Sequence, residues 1–352
     1  MIEIKTFEDD ADELARFTNR VWQAAYEGQV LLPLWSEAFL RRELLPGDGT
    51  MRDYLVAAYD GGKLVGFHPA RPITVRLHGR EIPATWGSFL TVDPEYRGQK
   101  IAQRMQQEFI RRHQERGARV NFGYLYIRSA KSLGQKFWLN QPKGTAVVRS
   151  LGMWVRALDH AATARFEIHR LESWGARAMS LVQRSPRPPL DPTGIRLWQP
   201  EDTPACLALI HQAGEAADLA YLWDSAGLER YLHYPGLSQT VVLQGEAGVA
   251  GLVTYTLLEI LGREPMMVAL IDRIAFGSLP GRDRRRLLGA ALYQMSGDGA
   301  KGAMMLRDSW YGGRTLLSVG FVPMHPEYYY IGTCMDEEVS LRGIRRIQAL
   351  WR

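Results

Sequence analysis

The chain has 352 residues, 46% of them hydrophobic and 23% charged, which favours two globular domains with sizeable apolar cores. Its two cysteines exclude a disulfide framework or a cysteine-rich metal site. The lack of a signal-peptide core or of an apolar run of about 18 residues predicts a cytoplasmic protein with no membrane span. The formal net charge of +5 indicates an arginine-rich solvated surface or, alternatively, an anionic ligand.

The first part of the chain mixes strand and helix patterns. The predicted elements are a strand over 2–7, helices over 8–25 and 36–45, and strands over 54–59, 63–77 and 82–92. Leu14, Phe17 and Val21 share one face of the first helix. The last three strands form an antiparallel meander that leads into residues 89–105.

Residues 89–105 change from strand to helix periodicity. Phe89, Leu90 and Val92 are apolar strand formers, and Asp93-Pro94 ends the strand. Beyond Gly98 the apolar residues follow helical spacing: Ile101, Ala102, Met105, Phe109 and Ile110. Such a turn directs the first backbone N–H groups of a helix, at the positive end of its dipole, towards an anion.

Residues 97–102, Arg-Gly-Gln-Lys-Ile-Ala, resemble the diphosphate-binding loop of the GCN5-related N-acetyltransferases (GNATs). That family's pattern is Arg/Gln-x-x-Gly-x-Gly/Ala. Arg97 and Ala102 match it, whereas Lys100 stands where a glycine is usual. A side chain there would either crowd the phosphates or add a charge to them.

The resemblance implies an acyl-CoA, expected to be acetyl-CoA, between the fourth and fifth strands, which splay apart. Backbone groups of Leu90, Thr91 and Val92 would pair with the pantetheine arm as an added strand does. The remaining residues implied to bind the diphosphate are Arg97, Gly98, Gln99, Lys100, Ile101 and Ala102. Arg97 and Lys100 would contribute charge and the others backbone N–H groups. No metal is implied.

The rest of the chain predicts a second copy of the same fold. Strands are expected over 120–127 and 147–158, and the four prolines of residues 185–194 predict a stiff linker between domains at 1–184 and 195–352. Beyond the linker the apolar and glycine pattern recurs at a nearly constant offset. The predicted fold class is α+β (mixed α/β), with two tandem GNAT-like domains, each a twisted, mostly antiparallel sheet flanked by helices.

The second copy lacks the glycine turn and has Arg284-Arg-Arg286 there instead. We expect it to have lost backbone diphosphate binding, so that one chain binds one cofactor. Anion binding by its arginine side chains is the alternative to a solvated basic turn.

Acyl transfer to an amine needs a base, stabilisation of the oxyanion and an acid for the leaving thiolate. The family commonly uses a tyrosine as the acid. Tyr124 and Tyr126, on one face of the fifth strand, are the candidates, with packing aromatics as the alternative. No tyrosine occurs in the following helical stretch, 129–138.

The candidate bases are weaker, and each has a structural alternative. They are Asp93, Glu95, His68 and, by resemblance to the tandem-fold N-myristoyltransferases, the terminal carboxylate of Arg352. Residues 341–352 predict an amphipathic helix. Candidate acceptor-pocket aromatics are Trp22, Tyr26, Trp35, Trp86 and Tyr96, with Tyr221, Trp223, His233 and Tyr234 from the second copy.

The leading prediction is an acyl-CoA-dependent N-acyltransferase that uses acetyl-CoA and a primary amine of a small molecule. One alternative is a non-catalytic acyl-CoA-binding sensor or partner protein. Another is a transferase with a long-chain, carrier-protein or aminoacyl-tRNA donor. Direct binding of nucleic acid is disfavoured because no zinc motif or interleaved aromatic–basic tract is present, and a homo-oligomer is left open.

Overall fold

The structure is a computed structural model that describes residues 1–47, 49, 51–87, 89–127, 133–139, 145–166, 185–246, 248–308 and 313–350. Its first half contains β1 (Ile2–Thr6), α1 (Ala11–Tyr26), β2 (Leu32–Leu34), α2 (Glu37–Leu44), β3 (Leu55–Asp60), β4 (Lys63–Leu77), β5 (Arg80–Gly87), β6 (Thr91–Val92), α3 (Ile101–Glu115), β7 (Val120–Tyr126), α4 (Leu133–Leu139), β8 (Thr145–Ala157) and α5 (His160–Phe166). Its second half contains β9 (Ile195–Leu197), α6 (Thr203–Gly214), β10 (Leu219–Leu222), α7 (Ser225–Leu232), β11 (Ser238–Gly245), β12 (Gly248–Leu261), β13 (Pro265–Ala275), α8 (Gly281–Gly297), β14 (Gly302–Arg307), α9 (Gly313–Ser318), β15 (Val322–Pro323), β16 (Tyr328–Cys334) and β17 (Ile347–Gln348).

The long helices follow the polar caps and apolar stripes of their sequences. Asp10 caps α1 by accepting a hydrogen bond from the Glu13 N–H at 2.9 Å, which satisfies one of the helix's free donors. The predicted stripe of Leu14, Phe17 and Val21 is buried. In α3 the predicted Ile101, Met105 and Phe109 are likewise buried, against β3 and β4. These stripes are confirmed.

The second half repeats the order of the first. Three antiparallel strands, β3–β4–β5 or β11–β12–β13, lead to a long helix, α3 or α8, and then to a strand parallel to the third, β7 or β14. The duplicated α+β fold predicted from the sequence is confirmed.

The halves also exchange strands. β2 of the first half pairs with β12, and β10 of the second half pairs with β4. At the other end, β16 inserts between β7 and β8, while the far part of β8 pairs with β14 and β15. Each half therefore completes the sheet of the other, and a cut within residues 185–194 would leave both sheets incomplete.

A buried ionic cluster lies where the halves meet. Glu43 accepts hydrogen bonds from the Tyr231 hydroxyl at 2.7 and 2.8 Å and forms an ion pair with Arg42 at 2.8 Å. Arg71 approaches the same carboxylate at 3.2 Å, and Arg42 donates to Thr256 across the interface at 3.1 Å. Removing one partner from such a cluster would leave a buried charge uncompensated.

The predicted helix over 341–352 is wrong. Residues 341–350 are largely irregular, and Ile347–Gln348 form β17, which pairs parallel with β10. Asp218 accepts hydrogen bonds from the N–H groups of Arg345 and Arg346 at 2.8 Å each, which holds the segment extended. Burial of its apolar residues at the interface overrides their helical spacing. Arg352 lies outside the described residues.

Candidate active site

β5 and β7 run side by side and then separate. Their parallel pairing ends with Trp86 opposite Phe122. Next to it the backbones nearly touch, because a Cβ added at Gly123 would lie 2.5 Å from the carbonyl oxygen of Gly87. Beyond this point the chain stays paired with β4, now through β6, but is no longer paired with β7 in the described residues. A cleft therefore opens between β6 and β7. These two strands flank the turn and correspond to the fourth and fifth strands that were expected to splay apart.

Phe89 makes the kink that separates β5 from β6, where the sequence predicts a continuous strand over 82–92. Its φ is +60°, which is costly for a residue with a side chain. Its ring is buried against Trp35 at 4.5 Å, edge to face, and lies 6.2 Å from Trp22. Trp22 in turn donates to the Thr91 hydroxyl at 2.9 Å. Aromatic packing therefore holds the kink in place.

The edge of β6 that faces the cleft has open backbone groups. The Asp93 N–H donates to the Val65 carbonyl at 2.9 Å, so positions 93 and 91 are the ones that bond to β4. Because donors alternate along an antiparallel strand, the N–H and C=O of Val92 point to the cleft. The place expected for the pantetheine arm thus has an unpaired strand edge.

The turn before α3 presents a row of free N–H groups. In the described chain the first helical bond is from the Arg104 N–H to the Lys100 carbonyl, and residues 98–103 donate no backbone hydrogen bond. Gly98 has φ of +83° and Lys100 has φ of +58°, the left-handed conformation that explains the family's glycine preference there. Arg97 and Lys100 are exposed. The turn is shaped to hold an anion.

A cavity of about 560 Å³ joins the turn to the cleft. The structure brings ten of the eleven predicted site residues to its wall: Leu90, Thr91, Val92, Arg97, Gly98, Lys100, Ile101, Ala102, Tyr124 and Tyr126. Gln99 lies in the turn but is not part of the wall. The cavity passes through the split sheet, since residues of α1 line one end and residues of α3 and α4 line the other.

A family model described as an acetyltransferase (GNAT) domain matches residues 4–132, which span the cleft and the turn. This part of the chain is a GNAT domain. Domains of this family use an acyl-CoA, and the tandem arrangement extends the fold beyond the matched residues. No curated protein sequence matches it.

Solved structures of the same fold cover nearly the whole chain. Saccharomyces cerevisiae N-myristoyltransferase with bound myristoyl-CoA is 14% identical, with a TM-score of 0.75 over 94% of this chain and 82% of that one. A probable N-acyltransferase from Enterococcus faecalis V583 is 12% identical (TM-score 0.55; 96% and 73%). A GCN5-related N-acetyltransferase from Kribbella flavida is 15% identical (TM-score 0.53; 96% and 72%). At these identities the likeness shows the fold.

The two candidate tyrosines of this GNAT domain share one face of β7. Tyr124 packs against Trp86 at 5.2 Å and against Tyr330 of the second half at 5.2 Å, and Tyr126 packs against Tyr328 at 5.6 Å. Burial raises the pKa of Tyr328 and of Tyr330 well above that of free tyrosine. The cluster is a packed aromatic layer that also reaches the cavity through Tyr124, Tyr126 and Tyr328.

His68 lines the cavity from β4. Its ring is stacked on Phe109 at 4.0 Å, and its Nε2 lies 2.6 Å from the Gln106 Oε1. Burial lowers the pKa of His68 to about 4, although the hydrogen bond to Gln106 acts in the opposite direction. Burial, with a smaller effect of His68, lowers the pKa of the neighbouring His113 to about 3. Both imidazoles are therefore neutral near pH 7.

The two acidic candidates from the turn do not line the cavity. Asp93 is buried and accepts hydrogen bonds from Arg20 at 2.8 Å and from the Glu95 N–H at 3.1 Å. Burial raises the pKa of Asp93, but these hydrogen bonds and the Arg20 charge outweigh it and lower the pKa below its usual value. Glu95 is exposed and lies 3.8 Å from Lys63. The Asp93 side chain thus caps the short 3-10 helix Pro94–Tyr96.

The predicted acceptor aromatics divide between two places. Trp22, Tyr26, Trp35 and Tyr96 line the cavity, whereas Trp86 is buried in the core. The four residues taken from the second copy lie elsewhere: Tyr221, Trp223, His233 and Tyr234. Tyr221 and Trp223 instead lie near the partly buried Arg71, at 5.6 and 5.9 Å.

Sequence reasoning missed several wall residues. Phe137 and Trp138 come from α4, whose sequence contains no tyrosine, and Tyr328 comes from the exchanged β16. The run Tyr328-Tyr-Tyr330 is a strand signal, but nothing local to it indicates that the strand crosses into the other half.

Proposed function

We propose that this acyltransferase moves an acetyl or other short acyl group from CoA to a primary amine of a small molecule. The diphosphate would bind the free N–H groups of residues 98–102, with Arg97 and Lys100 adding charge, and the pantetheine arm would pair with β6. The observation that carries this proposal is the continuity of the open β6 edge with that turn in one cavity.

The transfer would follow direct attack. The amine nitrogen bonds to the thioester carbonyl carbon, the carbon–sulfur bond breaks, the nitrogen loses a proton and the thiolate gains one. Trp22, Tyr26 and Trp35 form an aromatic wall beside the kink, where the acceptor would approach. Tyr124 and Tyr126 remain our candidates for donating the proton to sulfur, since both hydroxyl-bearing rings line the cavity.

A non-catalytic acyl-CoA-binding protein is the second candidate. It is favoured by one observation: no aspartate or glutamate of the described residues lines the cavity, and the imidazole that does is a weak base. A transferase whose cavity lacks a stronger base would have to pass the amine proton to water.

The test measures CoA thiol release with acetyl-, butyryl- and myristoyl-CoA over a panel of primary amines, together with calorimetric binding of each CoA ester. Binding with release from the short esters supports the proposal. Binding without release from any ester favours the sensor, and release from myristoyl-CoA alone favours a long-chain donor. Tyr124→Phe and Tyr126→Phe should lower kcat while leaving CoA affinity unchanged if either tyrosine is the acid.

Absence of CoA binding would contradict the proposal outright. Arg285→Glu, an exposed charge reversal on α8 in the second half, is the matched control for charge changes in the turn.

A further inference from the structure

His68 lies where the cavity crosses the sheet. In β4, Phe67 pairs with Thr91 of β6 and Ala70 pairs with Gly87 of β5, so His68 faces the kink between these strands. Its side chain points to the face covered by α3 and α4, where it contacts Phe109 and the edge of Trp138 at 5.9 Å. Only 1% of the residue is exposed, and it belongs to the cavity wall.

Gln106 determines which imidazole nitrogen is free. Its amide oxygen, 2.6 Å from Nε2, can only accept, so Nε2 carries the hydrogen and Nδ1 has a lone pair. Within the described part of the molecule, this buried Nδ1 has no hydrogen-bond partner. A buried acceptor without a hydrogen bond destabilises the structure, so a ligand donor at this position would remove that cost.

The direction of the side chain indicates which part of an acyl-CoA would meet it. Pantetheine amides that pair with β6 lie in the plane of the strands, where backbone groups satisfy them. Beyond Gly87 and Gly123 the strands close, so a group at the end of the arm must leave that plane. On the α3–α4 face it would enter the end of the cavity lined by His68, Phe137 and Trp138.

Resting on the function proposed above, we propose that this end of the cavity holds the donor's acyl group and that His68 Nδ1 accepts a hydrogen bond from a hydroxyl on it. The preferred donor is then a short hydroxyacyl-CoA. Because the imidazole is neutral and offers a lone pair, it disfavours a carboxylate in the same position. The unsubstituted acyl group of the same length would bind but would leave Nδ1 unpaired.

The experiment compares the calorimetric affinities of 3-hydroxybutyryl-CoA, butyryl-CoA and free CoA for the full-length protein. One hydrogen bond predicts about three- to tenfold tighter binding of the hydroxylated ester than of butyryl-CoA. His68→Phe removes the acceptor and should abolish this preference. His68→Asn, whose amide oxygen stands near the position of Nδ1, should retain part of it. Free CoA should bind the wild type and both variants alike.

Equal affinity of the wild type for both esters, or a preference that survives in His68→Phe, would overturn the inference. If free CoA does not bind the wild type, the proposed function is contradicted instead, so the two failures are distinguishable.

A second measurement covers the case in which the buried variants do not fold. In ¹⁵N NMR of the wild-type histidine rings, 3-hydroxybutyryl-CoA should shift the Nδ1 signal of His68 more than butyryl-CoA does. Identical shifts would show that Nδ1 is met by water or not at all, and would overturn the inference. Gln106→Leu, which frees the tautomer, should reduce the preference for the hydroxylated ester.

Discussion

The two halves share a fold but differ in the turn before their long helix. In the first half the turn is open, with exposed Arg97 and Lys100 beside free N–H groups. In the second half Pro280 is the N-cap of α8, and its carbonyl accepts hydrogen bonds from the N–H groups of Asp283 and Arg284. Arg284 donates to the Leu279 carbonyl at 2.6 Å, and Arg286 pairs with Asp283 and Asp191 at 2.6 and 3.0 Å. There Arg284 and Arg286 are held by partners within the protein.

The difference shows which parts of a duplicated fold are free to change. Both helices keep the buried apolar stripe, including Ile101 and Met105 in α3 and Leu287 and Ala291 in α8. The stripe is required for packing in each half, whereas the turn is solvent-facing and requires only a hydrogen-bonded start. One open turn for each chain therefore agrees with one acyl-CoA for each chain.

The largest effect is expected on the pH dependence of stability, from two buried histidines of the first half. His68 and His113 are buried neutral, with pKa values lowered to about 4 and about 3, so the unfolded chain binds protons there first as pH falls below about 6.5. The free energy of unfolding is therefore highest above pH 6.5 and decreases on acidification, by roughly 2 kcal/mol for each imidazole at pH 5. Urea unfolding between pH 7 and pH 5 measures it. In His68→Phe the unfolding free energy should fall less steeply with decreasing pH. An unchanged slope would contradict the conclusion that His68 is buried in its neutral form.

A charge reversal in each turn tests the comparison directly. Arg97→Glu should weaken CoA binding by roughly 10- to 150-fold, the worth of one charge-assisted hydrogen bond. Arg285→Glu, near the start of α8 in the second half, should leave the affinity unchanged. Titration calorimetry measures both, and equal losses would mean that the second turn also binds the cofactor.

The close approach of the strands is tested by adding one methyl group. Gly123→Ala would place a Cβ 2.5 Å from the Gly87 carbonyl oxygen, so the backbone must shift, at a cost of about 1–3 kcal/mol and with weaker CoA binding. Gly289→Ala, in α8, meets nothing within 4 Å and should stabilise by about 0.5–1 kcal/mol. Chemical denaturation compares the two, and equal stability would argue against a tight junction.

The smallest effect is expected at Lys100. Lys100→Gly relieves the left-handed conformation but gains entropy in the unfolded chain, so stability should change by less than about 1 kcal/mol. CoA affinity should fall only severalfold, because one exposed charge is removed. Tighter binding by the variant would show that the side chain obstructs the diphosphate.

Structural features that depend on local sequence patterns were predictable, whereas features that depend on contacts with residues distant in the chain were not. The stripe of Ile101, Met105 and Phe109 follows from its spacing alone. The kink at Phe89 does not follow from the sequence, because its apolar pattern continues that of a strand and the turn is stabilised by packing against Trp35 and Trp22. The exchanged β16 and the extended segment of β17 depend on pairing with residues far along the chain, which periodicity does not report.

CoA is expected to bind the backbone of the turn before α3 and to leave the turn before α8 untouched. Amide hydrogen exchange of the full-length protein with and without CoA measures this directly. On binding we expect protection of the N–H groups of residues 98–103 and of Val92, with no change at residues 281–286. Protection at 281–286, or CoA binding that leaves 98–103 unprotected, would contradict it.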